Sequence, residues 1–329
     1  MGRGVPRESP LPAALRRWLL RTDEPSVRYR VLRELLDRPE GDREVAAARR
    51  RIGRVGWAAE LLALQLPGGQ WATPNSAPRD MEGPKYIATR YVLHVLADLG
   101  MNRSDARVAQ AARLYLDRVS SPRFNEMGGR DSEVCCTGGD VRIAMRLGVG
   151  DDPRVARSVA WLIGAQKHDG GWHCFPSKTG TLDSWQALDA FATIPEARRS
   201  PEMNRAIQRG LEFYLDRELM FEKGATYAPW LRSHFPVHYY YDVLVGLDIV
   251  TALGKGSDPR LAKALDWLEA RRNPDGSWNL DAVHPDLGDD DYLAGVGTPF
   301  FSLGLEFPGR PSRWTTVTAL KVLRRAGRI

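Results

Sequence analysis

The amino-acid sequence predicts an all-α protein, specifically a closed α/α barrel, or toroid, of about six helical hairpins in a single domain spanning residues 1–329. Three observations predict this fold. A short motif ending in Trp recurs along the chain, capped amphipathic helices precede its copies, and a second series of more apolar helices alternates with them. Since an apolar helix is buried on both sides only in a curved or closed array, the alternation favours a ring.

The composition is that of an ordinary globular protein. Of the 329 residues, 43% are hydrophobic and 27% are charged, which excludes a disordered or fibrous chain. No apolar stretch reaches the ~18 residues of a membrane-spanning helix, and Arg21 interrupts the apolar residues near the start, so we expect no secretory signal. Three cysteines cannot complete a disulfide framework, which favours a reducing, cytoplasmic location.

The charge balance is mildly basic. Lys and Arg number 47 against 41 acidic residues, and they are spread along the chain rather than clustered. This distribution favours a solvated surface over a nucleic-acid partner, and it is compatible with a peripheral membrane contact.

The first predicted elements are an N-terminal extension and an outer helix, which together fill residues 1–24. Further outer helices begin at Asp152-Pro153, Ser200-Pro201 and Asp258-Pro259, where a capping oxygen precedes a proline at the first helical position. The apolar, inner helices are predicted at Ser26–Leu36, Tyr86–Leu99, Cys136–Leu147, Leu182–Ile194, Tyr239–Leu253 and Trp314–Ala326. Several of them end at glycine, as helix C-termini prefer.

The recurring motif follows outer helices. Its copies are Gln65–Trp71, Gln166–Trp172 and Arg272–Trp278, which read Gln (Arg in the third copy), three residues, Gly, one residue, Trp. The tryptophans lie about 100 residues apart, which corresponds to two repeat units of about 50 residues.

These copies resemble the QW motifs of the squalene-hopene/oxidosqualene cyclase and prenyltransferase repeat superfamily. The resemblance extends from about Pro25 to Arg325. It implies a terpenoid cyclase-like α/α toroid and an isoprenoid-handling enzyme with an apolar cavity, here as a single-barrel relative of longer double-barrel cyclases. It also implies that the motif residues are structural, with the Gln capping an outer helix and the Trp packing over the adjoining turn: Gln65, Gln166, Trp71, Trp172 and Trp278.

Candidate functional residues gather at one end of the predicted barrel. The N-termini of the inner helices share this rim, where unpaired N–H groups and positive dipole ends favour anions. We select catalytic candidates Asp183, His238 and Asp242; substrate-binding candidates Tyr86, Trp185, Tyr239, Tyr240 and Trp314; and metal-ligand candidates Cys136, His173 and Cys174.

One interpretation of this rim is a zinc site. Zinc needs three or four Cys, His or carboxylate ligands, and Cys136, His173 and Cys174 lie on successive units of the same rim. The protein prenyltransferases of the superfamily bind zinc through Asp-x-Cys and a later His, and Asp183-Ser184-Trp185 lacks that pattern. The alternative is that the cysteines only pack at the rim, since free Cys is commonly buried.

The other interpretation is carbocation chemistry. A terpene cyclase that begins by protonation needs a strong carboxylic acid and aromatic faces that stabilise cations. The superfamily presents the acid as Asp-x-Asp-Asp, which this chain lacks, and Asp289–Asp291 is typical of a solvated charge run. Asp242 follows Tyr239–Tyr241 at the start of an inner helix and is the better-placed acid, although a Tyr run there is also typical of a core.

Two further interpretations stay open. Residues 281–311 are long for a connection and predict a lid-like loop or a packing extension. The chain is alternatively a non-catalytic ligand- or partner-binding barrel, or a zinc-dependent enzyme acting on a peptide or small molecule. His94 lies within an apolar run and is interpreted as a core histidine.

Overall fold

The computed structural model describes residues 11–71, 81, 88–119, 133–222, 227–237, 240–283 and 305–329. These parts of the chain are mainly helical, which confirms the all-α class. Their helices are α1 (Ala13–Leu19), α2 (Pro25–Arg30), α3 (Arg43–Arg51), α4 (Trp57–Ala63), α5 (Thr89–Asp98), α6 (Ala106–Val119), α7 (Val134–Leu147), α8 (Pro153–Gly164), α9 (Gln186–Thr193), α10 (Pro201–Asp216), α11 (Val243–Ala252), α12 (Ala262–Ala270) and α13 (Arg313–Arg325).

Short elements extend some of these helices. A π-helical turn at Val31–Leu35 continues α2, and 3₁₀ turns at Leu182–Ser184 and Pro259–Leu261 precede α9 and α12. The two-residue strands β1 (Trp278–Asn279) and β2 (Pro311–Ser312) pair antiparallel, with Trp278 opposite Ser312. No described helix combines the length and apolar character that crossing a bilayer requires.

The helices predicted as an inner series pack against one another in chain order. Helix α5 contacts α7, α7 contacts α9, α9 contacts α11, α11 contacts α13, and α13 contacts α2 and the π-helical turn. Residues on these helices form a large part of the buried core, with Leu93, Leu188 and Val250 fully buried. The closure of the series into a ring stays a prediction.

The outer helices begin as their caps predict. The side chain of Asp152 accepts a hydrogen bond from the backbone N–H of Arg154 at 2.9 Å, Asp258 does the same for Arg260 at 3.0 Å, and Ser200 caps α10 through Met203. The guanidinium of Arg154 also reaches Asp117 on α6, 2.9 Å away. Each cap therefore also helps to join neighbouring units.

The three motif copies have one geometry. The indole Nε1 of each Trp donates to a carbonyl ten residues earlier, from Trp71 to Leu61 at 2.7 Å, and from Trp172 to Leu162 and Trp278 to Leu268 at 2.8 Å each. The motif glycines have φ of 88–90°, a conformation that only glycine adopts without strain, at Gly69, Gly170 and Gly276.

The motif glutamines join consecutive units. Gln166 Nε2 donates to the carbonyl of Gly170 in its own turn and to that of Ala206 on α10, both at 2.8 Å. Gln65 makes the equivalent contacts with Gly69, at 2.9 Å, and Arg107 on α6, at 3.1 Å. Both glutamines therefore link the motif turn to the next outer helix. The helix-capping role that the resemblance implies stays a prediction.

Candidate functional site

The structure describes most, but not all, of the residues that were selected at the predicted rim. Tyr86, His238 and Tyr239 lie outside the described residues, as do Asp289–Asp291 and most of the predicted lid. The other selected residues lie at or before the N-termini of the inner helices α7, α9, α11 and α13: Cys136, His173, Cys174, Asp183, Trp185, Tyr240, Asp242 and Trp314.

The structure brings the cysteines together with one carboxylate. The thiols of Cys135 and Cys136 lie 3.7 and 3.8 Å from Oε2 of Glu133. One ligand atom from each of these residues lies within 4.8 Å of the others. Cys174 approaches from the segment between α8 and α9, and its Sγ lies 3.3 Å from the backbone nitrogen of Cys135 and 3.8 Å from Ser184 Oγ. We call these four residues, Glu133, Cys135, Cys136 and Cys174, the thiol cluster.

Hydrogen bonding within the thiol cluster shifts the pKa values of Cys135 and Cys174 in opposite directions. The hydrogen bond from the Cys135 thiol lowers the pKa of Cys174 to about 7. The contacts with Cys136 and Cys174 raise the pKa of Cys135. Cys174 is therefore the thiol of this pair that ionises more readily, while Cys135 stays neutral beside it.

His173 does not join the thiol cluster. Its Nδ1 accepts a hydrogen bond from the backbone N–H of Phe175 at 3.0 Å, and its ring packs edge-on against the Phe175 ring. Among the described residues, the group of ligand atoms within 4.8 Å contains Glu133 and Cys135 beside Cys136 instead. The grouping of His173 with Cys136 and Cys174 therefore receives no support from the geometry.

A buried His–Asp pair lies at the start of α11. Oδ2 of Asp242 accepts hydrogen bonds from the backbone nitrogen and the Nδ1 of His234, at 3.0 and 2.6 Å, and Oδ1 caps the helix through the nitrogen of Val245 at 2.7 Å. Both side chains are almost fully buried, 2% exposed for His234 and 1% for Asp242. Among the described residues, His234 Nε2 has no hydrogen-bond partner.

Three N–H donors hold the Asp242 carboxylate in a fixed position. Asp242 is therefore placed to orient the His234 ring. With Nδ1–H directed at Asp242, the neutral imidazole presents Nε2 as a proton acceptor, and the protonated ring presents it as a donor. The sequence analysis did not select His234.

Aromatic side chains surround this pair. Tyr241 precedes Asp242 and packs against Trp230, with ring centroids 5.1 Å apart, and the indole of Trp185 donates to the carbonyl of Tyr240 at 3.1 Å. Phe235, next to His234, stacks on Trp314 at 4.5 Å. The selected residues Trp185 and Trp314 are 1% and 7% exposed, so in this structure they belong to the packed wall.

Asp183 lies apart from the buried pair. It is exposed in the 3₁₀ turn before α9, while Asp242 is buried at the start of α11. An exposed carboxyl lacks the apolar surroundings that a proton donor to a hydrocarbon needs. The placement of Asp183 therefore does not favour a catalytic role.

The structure shows a further rim carboxyl that the sequence analysis missed. Oε1 of Glu306 accepts from the backbone N–H of Arg313 at 2.6 Å, and Oε2 accepts from the hydroxyl of Ser312 and the N–H of Trp314. Burial raises the pKa of Glu306 to about 7 in spite of these donors. The sequence carries no signal that Glu306 accepts hydrogen bonds at the start of α13, because it lies six or more residues before that helix.

The other end of the inner series carries a charged pocket of about 380 Å³. Its charged lining comes from the C-terminal halves of inner helices and the π-helical turn: Glu34, Arg146, Asp189, Asp248, Lys321 and Arg325. Lys321 lies 3.0 Å from Asp248 and 3.4 Å from Glu34. Burial opposes ionisation of Glu34, but Arg30 and Lys321 outweigh it and hold its pKa well below the usual range.

This charged pocket continues toward α5. Arg142 pairs with Asp98 and with Asp189, each at 2.7 Å, and Arg146 also pairs with Asp98. His94 is buried and its Nδ1 lies 3.2 Å from Arg142, which agrees with the core interpretation. At this end the space between the inner helices is polar, in contrast to the apolar cavity expected from the resemblance.

Fold and site together define a protein of paired helices with polar groups at the N-terminal ends of an inner series. No protein-family model matches the chain. It is 25% identical to the squalene–hopene cyclase of Bradyrhizobium diazoefficiens over 247 residues, which cover 69% of this chain and 35% of that one. It is 24% identical to a probable squalene–hopene cyclase of Sinorhizobium fredii over 147 residues, covering 39% and 22%. The chain thus matches about a third or less of the length of these relatives.

Two solved structures align with this chain over most of their own length. A protein from Actinoplanes aligns over 94% of this chain and 90% of its own, with a TM-score of 0.43 and 19% identity. The type II terpene cyclase MstE from Scytonema aligns over 86% of this chain and 98% of its own, with a TM-score of 0.30 and 15% identity.

Proposed function

We propose that the chain is an isoprenoid-handling enzyme of the terpene-cyclase type, built on a closed α/α barrel with His234 and Asp242 as its proton-transfer pair. Support for the class comes from the sequence similarity to squalene–hopene cyclases, which extends over 69% of the chain in one relative. Neither the substrate nor the product follows from that similarity, because fold and family alone do not define a reaction.

The charged pocket supports closure of the barrel. Its lining and the adjoining ion pairs take side chains from every member of the inner series, including Asp98 of α5 and Glu34 after α2. Side chains from the two ends of an open array would lie too far apart to be linked through one pocket and its adjoining ion pairs. We therefore infer that α5 and α2 approach each other around a common axis.

Nε2 of His234, which has no hydrogen-bond partner in the part of the chain that the structure describes, is the observation that carries the proposed chemistry. A buried polar atom without a partner costs stability, so its retention favours a role in which a ligand or substrate meets it. A terpene cyclisation ends when a carbocation loses a proton to a base, and the carbocation carbon gains the electron pair of the broken C–H bond. Neutral His234 accepts that proton at Nε2, and Asp242 stabilises the imidazolium that results.

The aromatic wall suits a cationic intermediate. The faces of Trp, Tyr and Phe attract cations by cation–π interaction, and Trp314 already carries the guanidinium of Arg30 at 4.1 Å from its ring centroid. We propose that Tyr86, Tyr239 and Tyr240, which the sequence predicts at this rim, contribute to substrate binding. His238 stays a catalytic proposal for the same rim, whereas Asp183 takes no part in the proposed proton transfer because it is exposed.

The test is product formation from a panel of linear polyprenyl substrates, analysed by gas chromatography with mass spectrometry. We expect a cyclic product from the wild-type protein and a loss of 10²–10⁴-fold in rate for His234→Gln and Asp242→Asn, the range of general acid–base catalysis. His173→Gln, a rim histidine outside the pair, is the matched control and should retain activity. Equal rates for all three variants at unchanged thermal stability would refute the assignment.

A non-catalytic binding barrel is the second candidate function. The observation in its favour is that Trp185 and Trp314 are buried in packed surroundings, as in a plugged bore. Binding of a polyprenyl ligand without turnover by any substrate of the panel would select it over the enzyme.

A further inference from the structure

We propose that the thiol cluster is a zinc site in which the thiolates of Cys135, Cys136 and Cys174 and the carboxylate of Glu133 hold one Zn²⁺ ion. This inference is independent of the proposed enzymatic function, because it concerns ligand atoms away from the His234–Asp242 pair. It differs from the set selected from sequence, since Glu133 and Cys135 replace His173.

The separations within the cluster fit tetrahedral zinc. With Zn–S near 2.3 Å and Zn–O near 2.1 Å, a sulfur and an oxygen on one tetrahedron lie about 3.6 Å apart, and two sulfurs about 3.8 Å apart. The observed distances from Oε2 of Glu133 are 3.7 Å to Cys135 Sγ and 3.8 Å to Cys136 Sγ. Both oxygen–sulfur distances are therefore close to the spacing that one ion imposes, and the two sulfurs lie within 4.8 Å of each other. Cys174 must move closer to complete the site.

The orientation of Glu133 is a second indication. Glu133 occupies the N-cap position of α7, where a carboxylate normally accepts backbone N–H groups of the first turn. Its side chain makes no such capping bond. It lies beside the two thiols instead, so that a carboxylate and sulfur ligands converge on the same small volume.

The ligand chemistry selects the metal. Thiolates are soft ligands that favour Zn²⁺ or Cu⁺ over Mg²⁺ and Ca²⁺, and zinc also accepts a carboxylate oxygen in a tetrahedral set of four. All three cysteines of the chain contribute. Cys135 and Cys174, which are 39 positions apart in sequence, are in contact at this site.

Four protein ligands leave no open position for a substrate. The ion is therefore structural, and it joins the start of α7 to the segment that leads from Trp172 into α9. This segment is otherwise attached near its ends, by the bridge between Trp172 and Thr181 and by hydrogen bonds such as that of Gly180 with Asp169. Zinc binding would thus order the rim between these two inner helices.

Elemental analysis of the full chain, expressed in zinc-supplemented medium and purified without chelator, tests the site. We expect one zinc per chain, and Co²⁺ added to metal-free protein should give the absorption of a tetrahedral thiolate complex. Cys174→Ser and Glu133→Gln should weaken zinc binding in competition with a chromophoric chelator by more than the ~10–100-fold that loss of an outer-shell partner costs. His173→Gln is the matched control and should bind zinc as the wild type does.

Three results would overturn the zinc site. One is wild-type protein that folds without zinc and shows no thiolate absorption with Co²⁺. Another is zinc binding that Cys174→Ser leaves unchanged but His173→Gln abolishes. The third is a disulfide between Cys174 and Cys135 or Cys136 that persists when the protein is purified with a thiol reductant. None of these readouts uses catalysis, so failure of this site and failure of the proposed enzyme are distinguishable.

Discussion

Among the rim carboxyls, Glu306 has a pKa that folding clearly raises. Its pKa in the folded chain is about 7 against an ordinary value of 4.5, because burial disfavours the charged form. Between these values the folded chain retains a proton that the unfolded chain has lost. The contribution of Glu306 to the free energy of unfolding should therefore be largest below pH 4.5 and should fall as the pH rises to about 7, by up to about 3 kcal/mol.

Thermal or urea unfolding from pH 4.5 to 8 measures this dependence. Glu306→Gln should remove that fall, since the amide stays neutral throughout, whereas exposed Glu196→Gln should leave the wild-type profile unchanged. If the profiles of wild type and Glu306→Gln stay parallel over this range, the carboxyl is ionised at neutral pH and the burial argument is wrong.

At the scale of single residues, the sequence predicts location better than role. Asp242, Cys136 and Cys174 could be selected because each begins or precedes an apolar helix. Glu133 and His234 were missed as partners, since a carboxylate before a helix looks like a cap and His234 meets Asp242 only through the turn between them. Such contacts depend on loop conformation, which residue periodicity does not encode.

At the scale of helices, the close packing of α7 on α9 depends on a glycine, Gly138, at their contact. A Cβ at Gly138 would lie 2.6 Å from the backbone carbon of Gln186, where no flexible group can yield. Gly138→Ala should therefore force the helices apart and destabilise the protein by about 1–3 kcal/mol, the usual cost of overpacking.

Gly164→Ala is the matched control, because Gly164 ends α8 with open space around its Cβ position. It should be neutral or stabilise by up to about 1 kcal/mol through helix propensity. Chemical denaturation of both variants measures the difference. Equal stabilities would show that α7 and α9 are not in close contact.

Helix positions could be predicted well because their signals are local. Cys136–Leu147 was predicted and Val134–Leu147 is observed, and Asp152, Ser200 and Asp258 cap helices as expected. The pairing of helices through their charged C-terminal halves could not be predicted. Asp98, Arg142 and Asp189 lie on different elements, and only the assembled series shows which of their faces meet.

For the whole molecule, the ion pairs of Arg142 link three inner helices in one buried network. The side chains of Arg142 and Asp98 are only 6% and 4% exposed, so removing the cation leaves two carboxylates poorly solvated. Arg142→Leu should therefore cost about 3–5 kcal/mol, as for other broken buried pairs.

The control is Arg205→Leu on α10, whose pair with Glu202 is 67% and 58% exposed. An exposed pair contributes about 0–1 kcal/mol, so this variant should unfold near the wild-type midpoint. Urea unfolding of both variants measures the contrast. A loss for Arg142→Leu as small as that for Arg205→Leu would show that water enters the network freely and that the inner helices do not enclose it.

The central claim is that an isoprenoid meets the His234–Asp242 pair at the N-terminal end of the inner series. A crystal structure of the protein with a non-reactive polyprenyl analogue tests it most directly. We predict the hydrocarbon chain against the aromatic wall, with a carbon atom in contact with His234 Nε2. An analogue bound in the charged pocket of Glu34 and Asp248, or on the outer helices, would contradict the account.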